Sequence, residues 1–300
     1  MVTGATGFVG RWAAKALSAR GAEVFCLLRN ASRSAEIGHT IVADLLDGGS
    51  VRKVVTDIRP NAVLHVAWDV SHGKFYQAAV NLDWLAASIQ LARVAADAGV
   101  SRIVGVGTCV EYAAPEEEDC DEQTTPVQPT TLYGISKDAV RRVIAGFAPQ
   151  AGFSFAWARL FHMYGPFEDQ RRLVPSVCVR LAQGAPVEIS SGSVLRDFMD
   201  VRDVGEALAM LTLSKVTGGV NIGSGRAVRV ADIAGQLADI AGRADLIRHG
   251  ALPGRSNEAP RIVATTRRLN HEVGYSPSRP LLESLAETYA WWRCRTTSVA

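Results

Sequence analysis

The chain has 300 residues, 48% hydrophobic and 21% charged. That is enough apolar material for a sizeable core in one or two globular domains, and too much for a disordered chain. Its 32 basic and 30 acidic residues leave a net charge of +2, and the arginines and lysines are scattered, which argues against a nucleic-acid surface and leaves small anionic ligands open. Five cysteines (Cys26, Cys109, Cys120, Cys178, Cys294) are odd in number and widely spaced with no Cys-x-x-Cys, against a disulfide framework or a metal site of the zinc type. No apolar run reaches the roughly 18 residues of a membrane span, and a reducing cytoplasm is the expected location.

The first segment, Met1-Val2-Thr3-Gly4-Ala5-Thr6-Gly7-Phe8-Val9-Gly10, opens a helix expected to run to about residue 19. Glycines at 4, 7 and 10 would serve a tight turn, close approach of backbone to a pyrophosphate, and helix–strand packing, with phosphate at the helix N-terminus. The spacing departs by one residue from G-x-G-x-x-G, and glycine-rich turns before helices are common. The strand before the turn, Met1 and Val2, is far shorter than the usual 5 or 6 residues or so, so the natural chain is expected to begin upstream. Because this start carries the glycine motif, it is read as mature protein and not as a transit peptide.

Residues 23–28 read as a second strand ending at Arg29 and Asn30. NAD-binding folds carry an acidic residue about 20 positions past the glycines for the ribose 2′-hydroxyl; here Arg29, with Arg33 nearby, suits a 2′-phosphate. Two solvated loop arginines are the plain alternative. Residues 40–42 form a third strand, with Asp44 and Leu45 at its end where adenine could lie. A helix over 50–57 precedes the apolar strand 61–67, of the buried parallel kind. A long helix over 77–98, stopped by Gly99, is apolar on more than one face, which leaves a face for a partner subunit.

The strand 102–106 delivers Thr108, in a position where open α/β sheets place their chemistry; a threonine that merely closes a strand is the plain reading. Residues 116–122 read as a solvated acidic loop. In Thr131-Leu132-Tyr133-Gly134-Ile135-Ser136-Lys137, helical spacing puts the Tyr133 phenol and the Lys137 ammonium a turn apart on one face. A phenol with a pKa of about 10 is a poor proton carrier at neutral pH, but a cation beside it draws the pKa towards the working range. Such pairs are often plain surface; the weight comes from the order of glycine turn, hydroxyl after a strand, and pair. Beyond the strand 153–160 the strand–helix alternation breaks down, with helices over 173–181, 201–213, 232–241 and 282–292 and strands over 186–189, 196–199 and 220–222. The pattern predicts an α/β fold, a Rossmann-type doubly wound parallel sheet over residues 1–162 with 200–225 returning to it. A smaller interleaved α/β lobe would come from 163–199 and 226–300.

The set Thr3-Gly4-x-x-Gly7-x-x-Gly10, Asp44-Leu45, Thr108, Tyr133-x-x-x-Lys137 and Arg159 through Pro166 resembles the extended short-chain dehydrogenase/reductases, the nucleotide-sugar epimerase/dehydratase family. The likeness spans nearly the whole chain, continuing through Arg196-Asp197-Phe198, Val201-x-Asp203-Val204, Asn221-Ile222-Gly223-Ser224-Gly225 and Pro253-Gly254-Arg255. It implies that Gly4, Gly7, Phe8, Val9 and Gly10 hold the pyrophosphate of NAD or NADP, that Asp44 and Leu45 meet the adenine, and that Ala67 also lines the cofactor. It implies Tyr133 as acid/base, Lys137 on the nicotinamide ribose, and Thr108 as helper on the sugar oxygen. His162, Arg196 and Arg255 would contact a nucleoside-diphosphate sugar, the arginines gripping its diphosphate.

Two departures matter. His162 stands where many sugar epimerases have asparagine, and Cys109-Val110 stand where the dehydratases have an Asp-Glu pair, which disfavours dehydration. The implied reaction is hydride transfer at C4 of the sugar, with Arg29 favouring an NADPH-dependent 4-keto reductase and a 4-epimerase with tightly bound NAD as the alternative. A non-catalytic NAD(P)-binding sensor or scaffold is disfavoured because Tyr133, Lys137 and Thr108 are all kept. A homodimer through a four-helix bundle of helices 77–98 and 131–148 is also expected.

Overall fold

The structure, a computed structural model, describes residues 1–30, 35–113, 115, 117–254 and 258–297; Arg33 and Arg255 lie outside them. The chain runs through β1 (Val2–Thr3), α1 (Gly10–Ala19), β2 (Phe25–Leu28), β3 (His39–Val42), α2 (Gly48–Ile58), β4 (Ala62–His65), α3 (Val80–Asp97) and β5 (Arg102–Thr108). It continues through α4 (Leu132–Ala151), β6 (Ser154–Leu160), β7 (His162–Tyr164), α5 (Leu173–Ala182), β8 (Val187–Glu188), β9 (Leu195–Asp200) and α6 (Val201–Leu213). The last elements are β10 (Gly218–Ile222), β11 (Ala227–Arg229), α7 (Val230–Ala241), β12 (Ile247–Arg248), β13 (Arg261–Ile262) and α8 (Leu281–Thr297).

Seven strands form one sheet in the order β10-β6-β5-β4-β1-β2-β3, every pair parallel. The order reverses between β1 and β4, the crevice where doubly wound sheets bind ligands. The strands can be nearly all apolar because both faces are covered. On one face α1 and α6 bury Ala13, Leu17, Val204, Leu208 and Leu211; on the other α2, α3 and α4 bury Val55, Leu91, Val94, Val140 and Ile144. Gly205 lets α6 lie directly on α1, since a Cβ there would stand 2.6 Å from Trp12. Arg102, buried at the start of β5, satisfies the C-terminus of α6 by donating to the carbonyls of Leu211, Thr212 and Val216 at 2.7–2.9 Å. These are acceptors that a helix end would otherwise leave unpaired.

The smaller lobe is built on β9, flanked by β11 and β13 and paired with β7, with β8 and β12 pairing separately. Helices α5, α7 and α8 give it a core of its own around Val177, Leu181, Ile233, Leu237 and Leu285. The short strands β7, β11, β12 and β13 have too few residues to show alternation and were not predicted. The acidic loop is a second difference. Glu117 and Glu118 are exposed, but Asp119 accepts from Arg261 at 2.9 Å, Asp121 from the Thr265 hydroxyl at 3.1 Å and Glu122 from the Asn221 amide at 2.8 Å. The loop therefore stitches the end of β10 to β13 and the segment after it, because each of these carboxylates meets a donor there. Among the described residues no helix is long and apolar enough to cross a membrane.

Candidate active site

Gly4 ends β1 with φ +69°, and the chain beyond β4 passes so close that a Cβ here would lie 2.9 Å from the Ala67 nitrogen. Gly7 donates back to the Gly4 carbonyl at 2.9 Å, and a Cβ at Gly10 would stand 2.1 Å from that same oxygen. The turn through Phe8 and Val9 is thus closed on glycine alone, and any side chain at Gly4 or Gly10 would fill it. Arg11 fastens it from behind, donating to the Thr6 carbonyl at 3.1 Å and to Glu36 at 2.9 Å. With its carbonyls tied back and a helix N-terminus beyond, the turn fits a dinucleotide pyrophosphate. Arg29 lies exposed directly after β2, and Asp44, which accepts from the Leu46 amide at 3.0 Å, lies with buried Leu45 after β3.

Ala67 is held to this turn by Thr3, whose hydroxyl accepts from the Val66 and Ala67 amides, both at 3.1 Å. The same hydroxyl sits 2.8 Å from Nδ1 of His65, whose Nε2 is 2.8 Å from the Ser88 hydroxyl. Ser88 spends its proton on the Trp84 carbonyl, so His65 must donate through Nε2 and accept from Thr3 at Nδ1. That network fits neutral imidazole alone. Burial, and then the nearby Lys137, push its pKa down to about 3.

Tyr133 and Lys137 lie in α4, capped by Thr131, whose hydroxyl accepts from the Gly134 amide at 3.1 Å. Gly134 lets the helix start press on the exit of β5: a Cβ there would meet Pro129 at 2.8 Å and the Val110 carbonyl at 3.1 Å. The Tyr133 ring stands edge-on to Phe75, centroids 4.9 Å apart, and to Trp68 at 6.2 Å. The Lys137 ammonium donates to the Val106 carbonyl at 2.8 Å and lies 3.9 Å from the centroid of the Trp68 ring. The Thr108 side chain neighbours the Tyr133 phenol and favours its charged form. So the structure brings Thr108, Tyr133 and Lys137 together, but not with the expected electrostatics. Burial raises the phenol above its ordinary value, the Glu111 charge adds to this, and Thr108 opposes it. Lys137 is itself pushed down to about 7 by burial, with Glu111 opposing. The reason is that both groups leave water together, so desolvation outweighs the attraction the spacing promised.

Glu111, unassigned from the sequence, lies beneath this cluster and is fully buried. It accepts from the Thr108 amide at 2.9 Å, from the Trp157 indole at 3.0 Å and from Arg159 Nε at 2.8 Å. Burial raises its pKa, opposed by Arg159, the Thr108 amide and the indole. The Thr-x-x-Glu spacing of Thr108 and Glu111, a capping signature, was the available signal. His162 on β7 and Arg196 on β9 occupy neighbouring paired strands. Burial, then Arg196 and Arg172, lower the His162 pKa to about 4, and its Nδ1 is buried with no hydrogen-bond partner. Arg196, buried, donates to Glu258 at 3.0 Å. A cavity of about 220 Å³ lined by Tyr164, Phe198, Asp200, Asp203, Ser224 and Arg279 touches none of Thr108, Tyr133 and Lys137; its carboxylates are already engaged by Arg202 and Tyr275.

A parallel doubly wound sheet with a glycine turn at its switch point and a Thr–Tyr–Lys cluster beyond its carboxyl edge defines a nicotinamide-dinucleotide enzyme. Over residues 1–223 the chain matches the NAD dependent epimerase/dehydratase family, and it belongs to that family. It is 28% identical over 317 residues to the dTDP-4-dehydro-6-deoxy-D-allose reductase of Streptomyces bikiniensis, covering 99% of this chain and 96% of the relative. It is 26% identical over 321 residues to a UDP-glucose 4-epimerase of Streptomyces lividans, covering 97% and 95%. The solved structure of the Thermus thermophilus UDP-glucose 4-epimerase in complex with NAD superposes with a TM-score of 0.83 at 26% identity, covering 97% of this chain and 98% of that one. The chain is thus an NAD(P)-dependent enzyme of the nucleotide-sugar epimerase, dehydratase and reductase class.

The neutral His65 makes a testable link to stability. Its folded pKa lies below the unfolded value, so the contribution is whole above about 6.5 and is lost as pH falls towards 3. Between pH 7 and 5, wild type should lose about 2 kcal/mol of unfolding free energy through this group. In urea titrations at the two pH values, His65→Gln should show a drop smaller by about that amount; equal drops would deny the buried neutral state.

Proposed function

We propose that this enzyme reduces the 4-keto group of a nucleoside-diphosphate sugar with NADPH. Residues 1–162 with 200–225 would form the cofactor side, and 163–199 with 226–300 the substrate side. The observation that carries the reading is the cluster of Thr108, Tyr133 and Lys137, in which burial keeps the phenol protonated, the state a proton donor needs. Bound nicotinamide supplies the hydride. Tyr133 gives its proton to the developing alkoxide, Thr108 hydrogen-bonds the same oxygen, and the Lys137 ammonium stabilises the charge left behind. Elimination of water has less support. Cys109, where a dehydratase would hold a carboxyl, has its thiol pushed up to about 12, by burial first, and the Glu111 carboxylate faces Arg159 and Trp157. The Streptomyces bikiniensis relative is by name a reductase of a 4-dehydro sugar nucleotide.

Gly4, Gly7, Phe8, Val9, Gly10, Asp44, Leu45, Ala67 and Lys137 would hold the cofactor, and His162, Arg196 and Arg255 the substrate. NADPH rather than NADH rests on Arg29 at the end of β2. Glu36 also approaches the turn, but Arg11 pairs with it at 2.9 Å, so the 2′-position keeps a cationic surround. A homodimer through α3 and α4 is supported by Leu82, Ile135 and Val143, each about half exposed on those helices.

Tyr133→Phe should lower kcat by at least about 10²-fold while leaving cofactor affinity near wild type; retention of more than about a tenth of kcat would remove Tyr133 from the role. Fluorescence titration should show NADPH bound about tenfold more tightly than NADH, with Arg29→Asp reversing the order. Equal affinities, or protein that purifies with stoichiometric NAD, would replace the reductase by the epimerase. Light scattering at micromolar protein should return twice the chain mass, and a monomer would refute the α3–α4 interface.

A further inference from the structure

Trp68 follows Ala67 on the loop leaving β4, and its surroundings are more ordered than a loop aromatic requires. Its indole N–H donates to Oδ1 of Asn81 at 2.8 Å. Asn81, fully buried, uses Nδ2 on the carbonyls of Phe75 and Ala78 at 2.6 and 2.8 Å. With both amide functions committed, Asn81 can present only its oxygen to the indole, and this fixes the plane of the ring. The Trp84 ring stacks against that plane, centroids 6.2 Å apart and 30° between planes. The ammonium of Lys137 sits over the Trp68 ring, 3.9 Å from its centroid, with the Val106 carbonyl at 2.8 Å.

We propose that Trp68 is a positioning residue whose indole face, oriented by Asn81, holds the Lys137 ammonium in place beside Tyr133 and favours its charged form. This rests on the reading of Lys137 as the working cation of the site. Of the groups facing Lys137, Glu111 favours its charge but makes its hydrogen bonds elsewhere. Glu111 on the turn after β5 is bound to Arg159, Trp157 and the Thr108 amide. His65 on β4 is neutral and committed to Thr3 and Ser88, and Tyr133 is a protonated phenol. Asp138, the next residue, turns to Arg141 and Arg142 at 2.6 and 2.7 Å. A cation taken out of water with one carbonyl acceptor keeps its proton only if a further surface stabilises charge, and an aromatic face within 6 Å or so does that. Held this way, Lys137 keeps its charge up to about neutral pH, although burial pushes its pKa down to about 7.

The test is NMR of the full chain labelled with 13Cε-lysine, titrated from pH 5.5 to about 10. The five lysines, Lys15, Lys53, Lys74, Lys137 and Lys215, give few signals, and Lys137→Met assigns the one that matters. Trp68→Phe and Trp68→Leu fill similar volumes and differ in the π face. The Lys137 midpoint in Trp68→Phe should lie about half a pH unit or more above that in Trp68→Leu, and equal midpoints overturn the proposal. Should either variant fail to fold, wild type decides: the Lys137 Hε signals must be shifted upfield by the indole ring current, and signals at random-coil positions overturn it. The underlying reading fails separately, if Lys137→Met binds NADPH as tightly as wild type, an outcome that leaves the midpoint comparison standing on its own.

Discussion

The ion pair between Glu111 and Arg159 is the interaction on which the site depends. It lies inside the molecule at the carboxyl ends of β5 and β6, and its reach extends beyond the two charges. Glu111 takes the Thr108 amide and the Trp157 indole; Arg159 donates to the Tyr112 hydroxyl at 3.1 Å, which donates to Asn221 on β10 at 2.8 Å. Asn221 in turn grips the Cys120 carbonyl at 2.8 Å. A buried pair of this kind need not be more stabilising than apolar residues of the same volume, but removing one partner strands a charge and costs about 3–5 kcal/mol. Its value is in geometry. It fixes the backbone of Thr108 from below, so the threonine side chain is held in one place at the end of β5.

The desolvation that makes this pair necessary also governs the acid/base groups. From spacing alone, Lys137 should lower the Tyr133 pKa, as one charge acting on a solvated phenol would. Inside the protein the phenol, the ammonium and the Glu111 carboxylate share a single dry region, and each charged form has lost its water. The phenol therefore rises and the ammonium falls. A site in this condition is set up to give a proton before it takes one. This condition is a property of packing that no spacing rule encodes.

Much of the scaffold was legible because it repeats. The glycine turn, the apolar runs of β4, β5 and β6, and the Tyr–Lys pair one turn apart each follow from period or from backbone sterics, and each stands where the pattern placed it. What could not be read depends on contacts remote in sequence. His65 looks like an apolar-strand histidine until Thr3, 62 residues away, and Ser88 are seen to hold its two nitrogens. Glu111 looks like the end of a loop until Arg159 is brought opposite it. The acidic residues 119–122 look solvated because their partners, Arg261, Thr265 and Asn221, lie about a hundred residues on or more. The smaller lobe was least legible since strands of two or three residues carry no periodicity.

The two halves of the site are also joined by a contact that neither half would show alone. Phe167 follows β7, the strand carrying His162, and adopts φ +72°, a conformation that costs a residue with a Cβ about 1–2 kcal/mol. Its ring lies 3.8 Å from the Arg11 guanidinium and stands edge-on to the Trp291 ring of α8, centroids 4.9 Å apart, and these contacts offset the strain. Arg11 is the same residue that ties back the Thr6 carbonyl in the glycine turn. The segment leading away from His162 is therefore anchored on the arginine that shapes the pyrophosphate cradle, so a shift in either is felt by the other through one guanidinium.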